Sequence, residues 1–121
     1  MSQSTPLRPV IPAQVQTLFD QAALLASSLH DVCNNNTERM TWLELVDLLR
    51  PLQQQLDALE VCCAFTPLAA PAEQANRYLS LLLKVMEGNQ AHTEPCALAV
   101  LLAPVLAEFE RVELAQLRGE L

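Results

Sequence analysis

The stretch TWLELVDLLRPLQQQLDALEVCC, residues 41 to 63, decides the fold. Its apolar side chains fall at Trp42, Leu45, Leu49, Leu52, Leu56, Leu59 and Cys63, alternating steps of three and four without a slip. That is the period of an α-helix with one apolar face; a strand would need alternation at every second residue. The start of this helix is also written in the sequence. Thr41 and Glu44 form a capping-box pattern: the Thr hydroxyl accepts from the Glu44 N–H, and the Glu44 carboxylate accepts from the Thr41 N–H. Met40 and Leu45 are placed to form the hydrophobic staple beside it. Pro51 stands in the middle of the run, where it removes one hydrogen bond and displaces the Asp47 carbonyl, at a cost of about 3 kcal/mol. Arg50 is a poor N-cap for a restart, and the seam continues from Leu49 to Leu52. The expectation is therefore one continuous helix, kinked at Pro51.

The same spacing recurs in three further segments. Its positions are Val15, Leu18, Ala22, Leu25, Leu29 and Val32 in the first, Ala75, Tyr78, Leu82 and Val85 in the third, and Leu98, Leu102, Val105, Phe109 and Val112 in the fourth. Phe19, Leu24, Leu48, Leu79, Leu83, Leu101 and Leu106 lie beside these seams and widen the apolar stripes to what a bundle core needs. Helices are expected over about 13–33, 41–63, 71–87 and 94–118, in a single domain over 13–121 that follows a flexible, proline-containing arm at 1–12. Pro71 suits the first turn of the third helix, with Glu73 near its positive end, and Gly88 with Asn89 would stop it. Thr93 can cap the fourth helix, with Pro95 in its first turn. The fold class is all-α, an antiparallel up-down four-helix bundle.

LLAPVLAEF, residues 101 to 109, repeats the proline anomaly of LLRPLQQQL at residues 48 to 56. Sliding the chain by 53 residues lays Pro51 on Pro104 and gives ten identities over 33 ungapped positions, among them Gln21/Gln74, Ser27/Ser80, Asn36/Asn89 and Pro51/Pro104. The expectation is an internal duplication of an αα-hairpin, about 20–61 and 73–114, related by a pseudo-twofold axis, with the kink at Pro51 copied at Pro104.

Composition narrows the function. The chain has 121 residues, 51% hydrophobic with two glycines, and carries a formal charge of −7. That charge repels nucleic-acid phosphates and anionic membrane surfaces, and its basic residues are scattered. The longest apolar run, residues 96–107, is interrupted by Pro104 and falls short of the roughly 18 residues a membrane span needs. With no signal-peptide pattern at residues 1–12, a cytoplasmic protein is expected.

Candidate chemistry is sparse. Cys62 and Cys63 are adjacent and could respond to oxidants, although Cys63 also continues the seam as a small apolar residue. His30 with Cys33 and His92 with Cys96 have helical spacings that zinc could use, but no Cys-x-x-Cys pair accompanies them, and no metal is assigned. The phosphotransfer pattern His-x-x-Lys-Gly fails after His30, where Cys33 and Asn34 stand. Asp47, Asp57, Glu60, Glu108, Glu110 and Glu113 all avoid the seams, and Asp47/Arg50, Glu73/Arg77 and Glu108/Arg111 are expected as surface pairs. No catalytic or cofactor motif is visible. What remains is the fourth helix, CALAVLLAPVLA, apolar nearly all round, which gives Val100, Leu101, Val105 and Leu106 as a candidate interaction surface. The function expected is a non-enzymatic helical interaction protein, a homodimer or a small adaptor or regulatory subunit bound to another protein. The alternative is a ligand- or redox-sensing bundle that uses a pocket between kinked helices and the Cys62–Cys63 pair.

Overall fold

The structure, a computed structural model, describes residues 11–35, 40–87, 92–93 and 95–120; the side chains of Met40, His92, Thr93 and Pro95 lie outside that description. The expected flexible arm lies outside it up to residue 10, as do the Gly88–Asn89 helix stop, the Met40 half of the staple and the Thr93 capping side chain. Among the described residues, four helices make the fold: α1 Ala13–Asn35, α2 Trp42–Cys62, α3 Ala69–Glu87 and α4 Pro95–Leu117. Two short strands, β1 Met40–Thr41 and β2 His92–Thr93, pair antiparallel just before α2 and α4, with Met40 opposite Thr93 and Thr41 opposite His92. Around the core, α1 packs against α2 and α4, and α3 packs against the same two helices. No helix among the described residues is long and apolar enough to cross a membrane.

The capping box at the start of α2 is present as its sequence pattern predicts. The Glu44 N–H donates to Thr41 Oγ1 at 3.1 Å, and the Thr41 N–H donates to Glu44 Oε1 at 3.4 Å. α2 and α4 both run without interruption through their internal prolines, Pro51 and Pro104. Both prolines are exposed, and so are Asp47 and Val100, whose carbonyls receive no bond from a proline nitrogen that has no hydrogen. Those carbonyls can bond to solvent instead, which softens the cost of an internal proline. Between α2 and α3 the chain turns through Thr66, whose hydroxyl donates to the Cys63 carbonyl at 2.6 Å and accepts from the Leu68 N–H at 3.2 Å. This turn seats Leu68 in the core and leaves Phe65 fully exposed with a left-handed φ of 65°.

The core confirms two of the four apolar seams and corrects the other two. In α2 the buried residues are Leu45, Val46, Leu49, Leu52, Leu56 and Leu59, with Cys63 just beyond the helix; in α4 they include Leu98, Leu102, Val105, Phe109 and Val112. In α1 the buried line is Val15, Phe19, Ala22, Ala26, Leu29 and Cys33. Leu18 and Leu25 are only partly covered, and Val32 is 54% exposed. In α3 the line is Ala72, Ala75, Asn76, Leu79, Leu83 and Met86, with Tyr78 and Val85 outward. The cause is geometric: two overlapping stripes with three-four spacing run along each of these helices. The two stripes share Ala22 in α1 and Ala75 in α3, and the buried one adds a second alanine to each, Ala26 and Ala72, whose small side chains suit close packing against neighbouring helices.

Candidate functional site

Three features of the surface and its margins could carry function: the outward face of α4, the thiols, and the polar groups at the helix–helix contacts. On α4, Val100 and Leu101 are exposed as expected, but Val105 is 1% exposed and belongs to the core, while Leu106 is partly buried against it. Val105 cannot be part of a contact surface because it lies on the same seam as Leu98, Leu102 and Val112. The outward positions of the N-terminal half of α4 are Cys96, Ala97, Val100, Leu101, Ala103, Pro104 and Ala107, with no charge among them.

Cys62 is exposed, and Cys63 is buried at the end of α2. Burial pushes the Cys63 thiol up from its ordinary value; a hydrogen bond with Thr66 acts the other way, and the neighbouring Cys62 adds to the rise. Burial also pushes up the Cys33 thiol, which lies in the core. The nucleophile in thiol chemistry is the thiolate, so Cys63 is poorly suited to react at neutral pH. His30 and Cys33 diverge, Cys33 into the core and His30 to the margin of α1, where its Nδ1 lies 3.7 Å from Asp31 Oδ1. The second proposed pair, His92 with Cys96, cannot be placed because the His92 side chain lies outside the described residues. Among the described residues, no three of His, Cys, Asp and Glu converge as metal ligands.

The inter-helix polar groups were mostly missed by sequence reasoning. Glu108, expected on the surface, is 9% exposed and pairs with Arg111 one turn along α4. Arg50 does not pair with Asp47; it reaches from α2 to Glu87 of α3, at 3.1 Å. The Arg77–Glu73 pair is present at 3.5 Å, between exposed groups worth a few tenths of a kcal/mol at most. Asn76 is buried between α2 and α3, where its Nδ2 donates to Asp57 Oδ1 at 2.9 Å and to Glu60 Oε2 at 2.8 Å. Its Oδ1 is buried and has no hydrogen-bond partner, an arrangement that costs about 1–3 kcal/mol. Two bonds from one amide to carboxylates, each stronger than a neutral hydrogen bond, offset that cost.

The contact between α1 and α4 is different. Phe19 and Phe109 meet edge to face, with ring centroids 5.0 Å apart, and Gln16 and Gln116 exchange amide hydrogen bonds at one end. Between them and His30 runs a groove made of two adjoining depressions of about 460 and 310 Å³, which share Ala23, Phe109 and Glu113. The more buried lining residues, Ala23, Leu106 and Phe109, form its floor, and the exposed Asp20, Asp31, Glu110 and Glu113 stand along its rims. No Lys or Arg lines it. Neither Glu110 nor Glu113 makes an ion pair or a side-chain hydrogen bond among the described residues. This groove, apolar below and acidic above, was not singled out by the sequence. Comparison with protein-family models, with curated proteins and with solved structures returns no match for the chain.

Proposed function

We propose that this chain is a non-enzymatic interaction protein of the cytoplasm, which pairs with a second copy through the outward face of α4 and acts as a small adaptor or regulatory subunit. The fold on which this reading rests is an antiparallel up-down bundle of two duplicated hairpins. Burial supports the duplication. Val15, Phe19, Ala22, Ala26 and Cys33 are buried, and so are Leu68, Ala72, Ala75, Leu79 and Met86, each 53 residues later. Leu45, Val46, Leu49, Leu52, Leu56 and Leu59 correspond in the same way to the buried Leu98, Ala99, Leu102, Val105, Phe109 and Val112. Met40 pairs with Thr93, its own counterpart at that offset, as a pseudo-twofold axis through the strand pair requires. Exposed prolines at equivalent places then bend α2 and α4 around the core.

The observation that carries the functional reading is how the two copies differ outside. Glu44, Asp47 and Arg50 stand outward on α2; at the equivalent outward places α4 has Ala97, Val100 and Ala103. Two molecules of charge −7 repel each other, and a face without charge is where they can meet and remove apolar surface from water. The inward polar groups support a structural and not a catalytic use, since Asn76 ties α2 to α3 and Glu108 is held by Arg111. The redox alternative draws less on the geometry, because only one sulfur of the Cys62–Cys63 pair is accessible.

Light scattering coupled to size exclusion tests the proposal. The native chain should run as a dimer, and Val100→Asp with Ala103→Arg, which restores the charges of α2, should run as a monomer of unchanged thermal stability. A native chain that stays monomeric at the highest soluble concentration refutes self-association.

A further inference from the structure

The contact between α2 and α3 and the contact between α4 and α1 occupy equivalent places in the two hairpins, and one group of residues can be compared across them at the offset of 53. Asp57 and Glu60 on α2 match Glu110 and Glu113 on α4, and Asn76 on α3 matches Ala23 on α1. In the first contact the Asn76 amide bridges both carboxylates. In the second, Ala23 ends at its methyl group, and the space beside Glu110 and Glu113 is part of the 310 Å³ depression. The molecule thus holds two versions of one site, one closed by its own amide and one open.

We propose that the open version docks a basic amphipathic segment of a partner protein, whose arginine or lysine sits between Glu110 and Glu113 as Asn76 sits between Asp57 and Glu60. This deepens the reading of the chain as a duplicated interaction bundle and rests on it. A guanidinium or ammonium donates to two carboxylates with charge assistance, which a neutral amide supplies only from the acceptor side. Asp20 and Asp31 extend the negative rim, and the −7 charge of the chain attracts such a segment from a distance. The apolar residues flanking the cation would rest on Ala23, Leu106 and Phe109. From Phe19 to Asp31 the groove follows α1 for about 18 Å, about three turns of a docked helix. A second copy of this chain fits the groove poorly, since it brings the same net charge of −7.

The test uses the full chain and a fluorescent helical peptide of about 14 residues, with leucines at helical spacing and arginines on its flanks. A control peptide carries glutamates in place of the arginines. Fluorescence anisotropy should show the basic peptide bound at least about tenfold more tightly than the control, weakening as salt rises. Glu110→Gln with Glu113→Gln should lose about tenfold or more in affinity while the protein keeps its thermal stability and its dimer. Val100→Asp with Ala103→Arg should lose the dimer and keep the peptide. A native chain that is monomeric yet binds the basic peptide would sink the dimer and uphold the groove. Equal affinity for the two peptides, or affinity unchanged in the Gln variant, would overturn the proposal. Nuclear Overhauser contacts from Leu7 or Val10 to Ala23 in the free chain would also overturn it, by giving the groove to the chain's own N-terminus.

Discussion

Where α2 meets α3, an asparagine reaches across and holds two carboxylates; where α4 meets α1, Ala23, 53 residues before that asparagine, lies with two carboxylates along an open groove. A second contrast lies on the outer faces, charged at Glu44, Asp47 and Arg50 on α2 and uncharged at Ala97, Val100 and Ala103 on α4. The buried positions of the two hairpins, by comparison, match closely. What recurs is burial and not side-chain size, since Phe19 aligns with Ala72 and Ala26 with Leu79, so the pattern of inward faces is kept while margins and outer faces differ. On this reading function lies in what the halves do not share.

The largest effect should come from the shared part. Leu49→Ala in α2 and Leu102→Ala in α4 remove equivalent buried side chains, and each should cost about 2–5 kcal/mol in denaturant unfolding. The proposed duplication predicts a loss in both helices; a loss confined to one helix would break the comparison at its base.

A smaller effect should separate the closed contact from the open one. Asn76→Asp puts a third carboxylate beside Asp57 and Glu60 in a buried place and should cost about 2 kcal/mol at neutral pH, whereas Ala23→Asp at the hydrated groove should cost less than about 1 kcal/mol. Burial and the two neighbouring carboxylates raise the pKa of the introduced carboxyl in the folded state, so the folded variant binds more protons than the unfolded one. Its stability relative to the native chain therefore falls as pH rises through the carboxylate range and recovers as pH is lowered. Equal losses in the two variants, with no pH dependence, would show that the contacts do not differ as described.

The four-helix, all-α character was legible in the three-four spacing, and the seams of α2 and α4 were legible because each continues unbroken past its proline. In α1 and α3 the larger residues, Leu18, Leu25, Tyr78 and Val85, drew the reading to the wrong stripe. Packing against the neighbouring helices selected the stripe in which Ala26 joins Ala22 and Ala72 joins Ala75, and that is a property of the assembled bundle which no single segment reveals. The site was less legible for another reason. The 53-residue alignment already set Ala23 against Asn76 and, extended beyond Pro51, sets Asp57 against Glu110 and Glu60 against Glu113, but counting identities passes over mismatches. Only the Asn76 hydrogen bonds show that this mismatch separates a filled place from an empty one. Val105 was read as both seam and surface, and its burial decides for the seam.

The most direct measurement is calorimetric titration of the basic peptide into Ala23→Asn. If the groove is the open form of the Asn76 site, the new amide bridges Glu110 and Glu113 from within, and affinity falls at least about tenfold while the protein remains folded. A folded Ala23→Asn protein that binds the peptide as tightly as the native chain does would contradict the account.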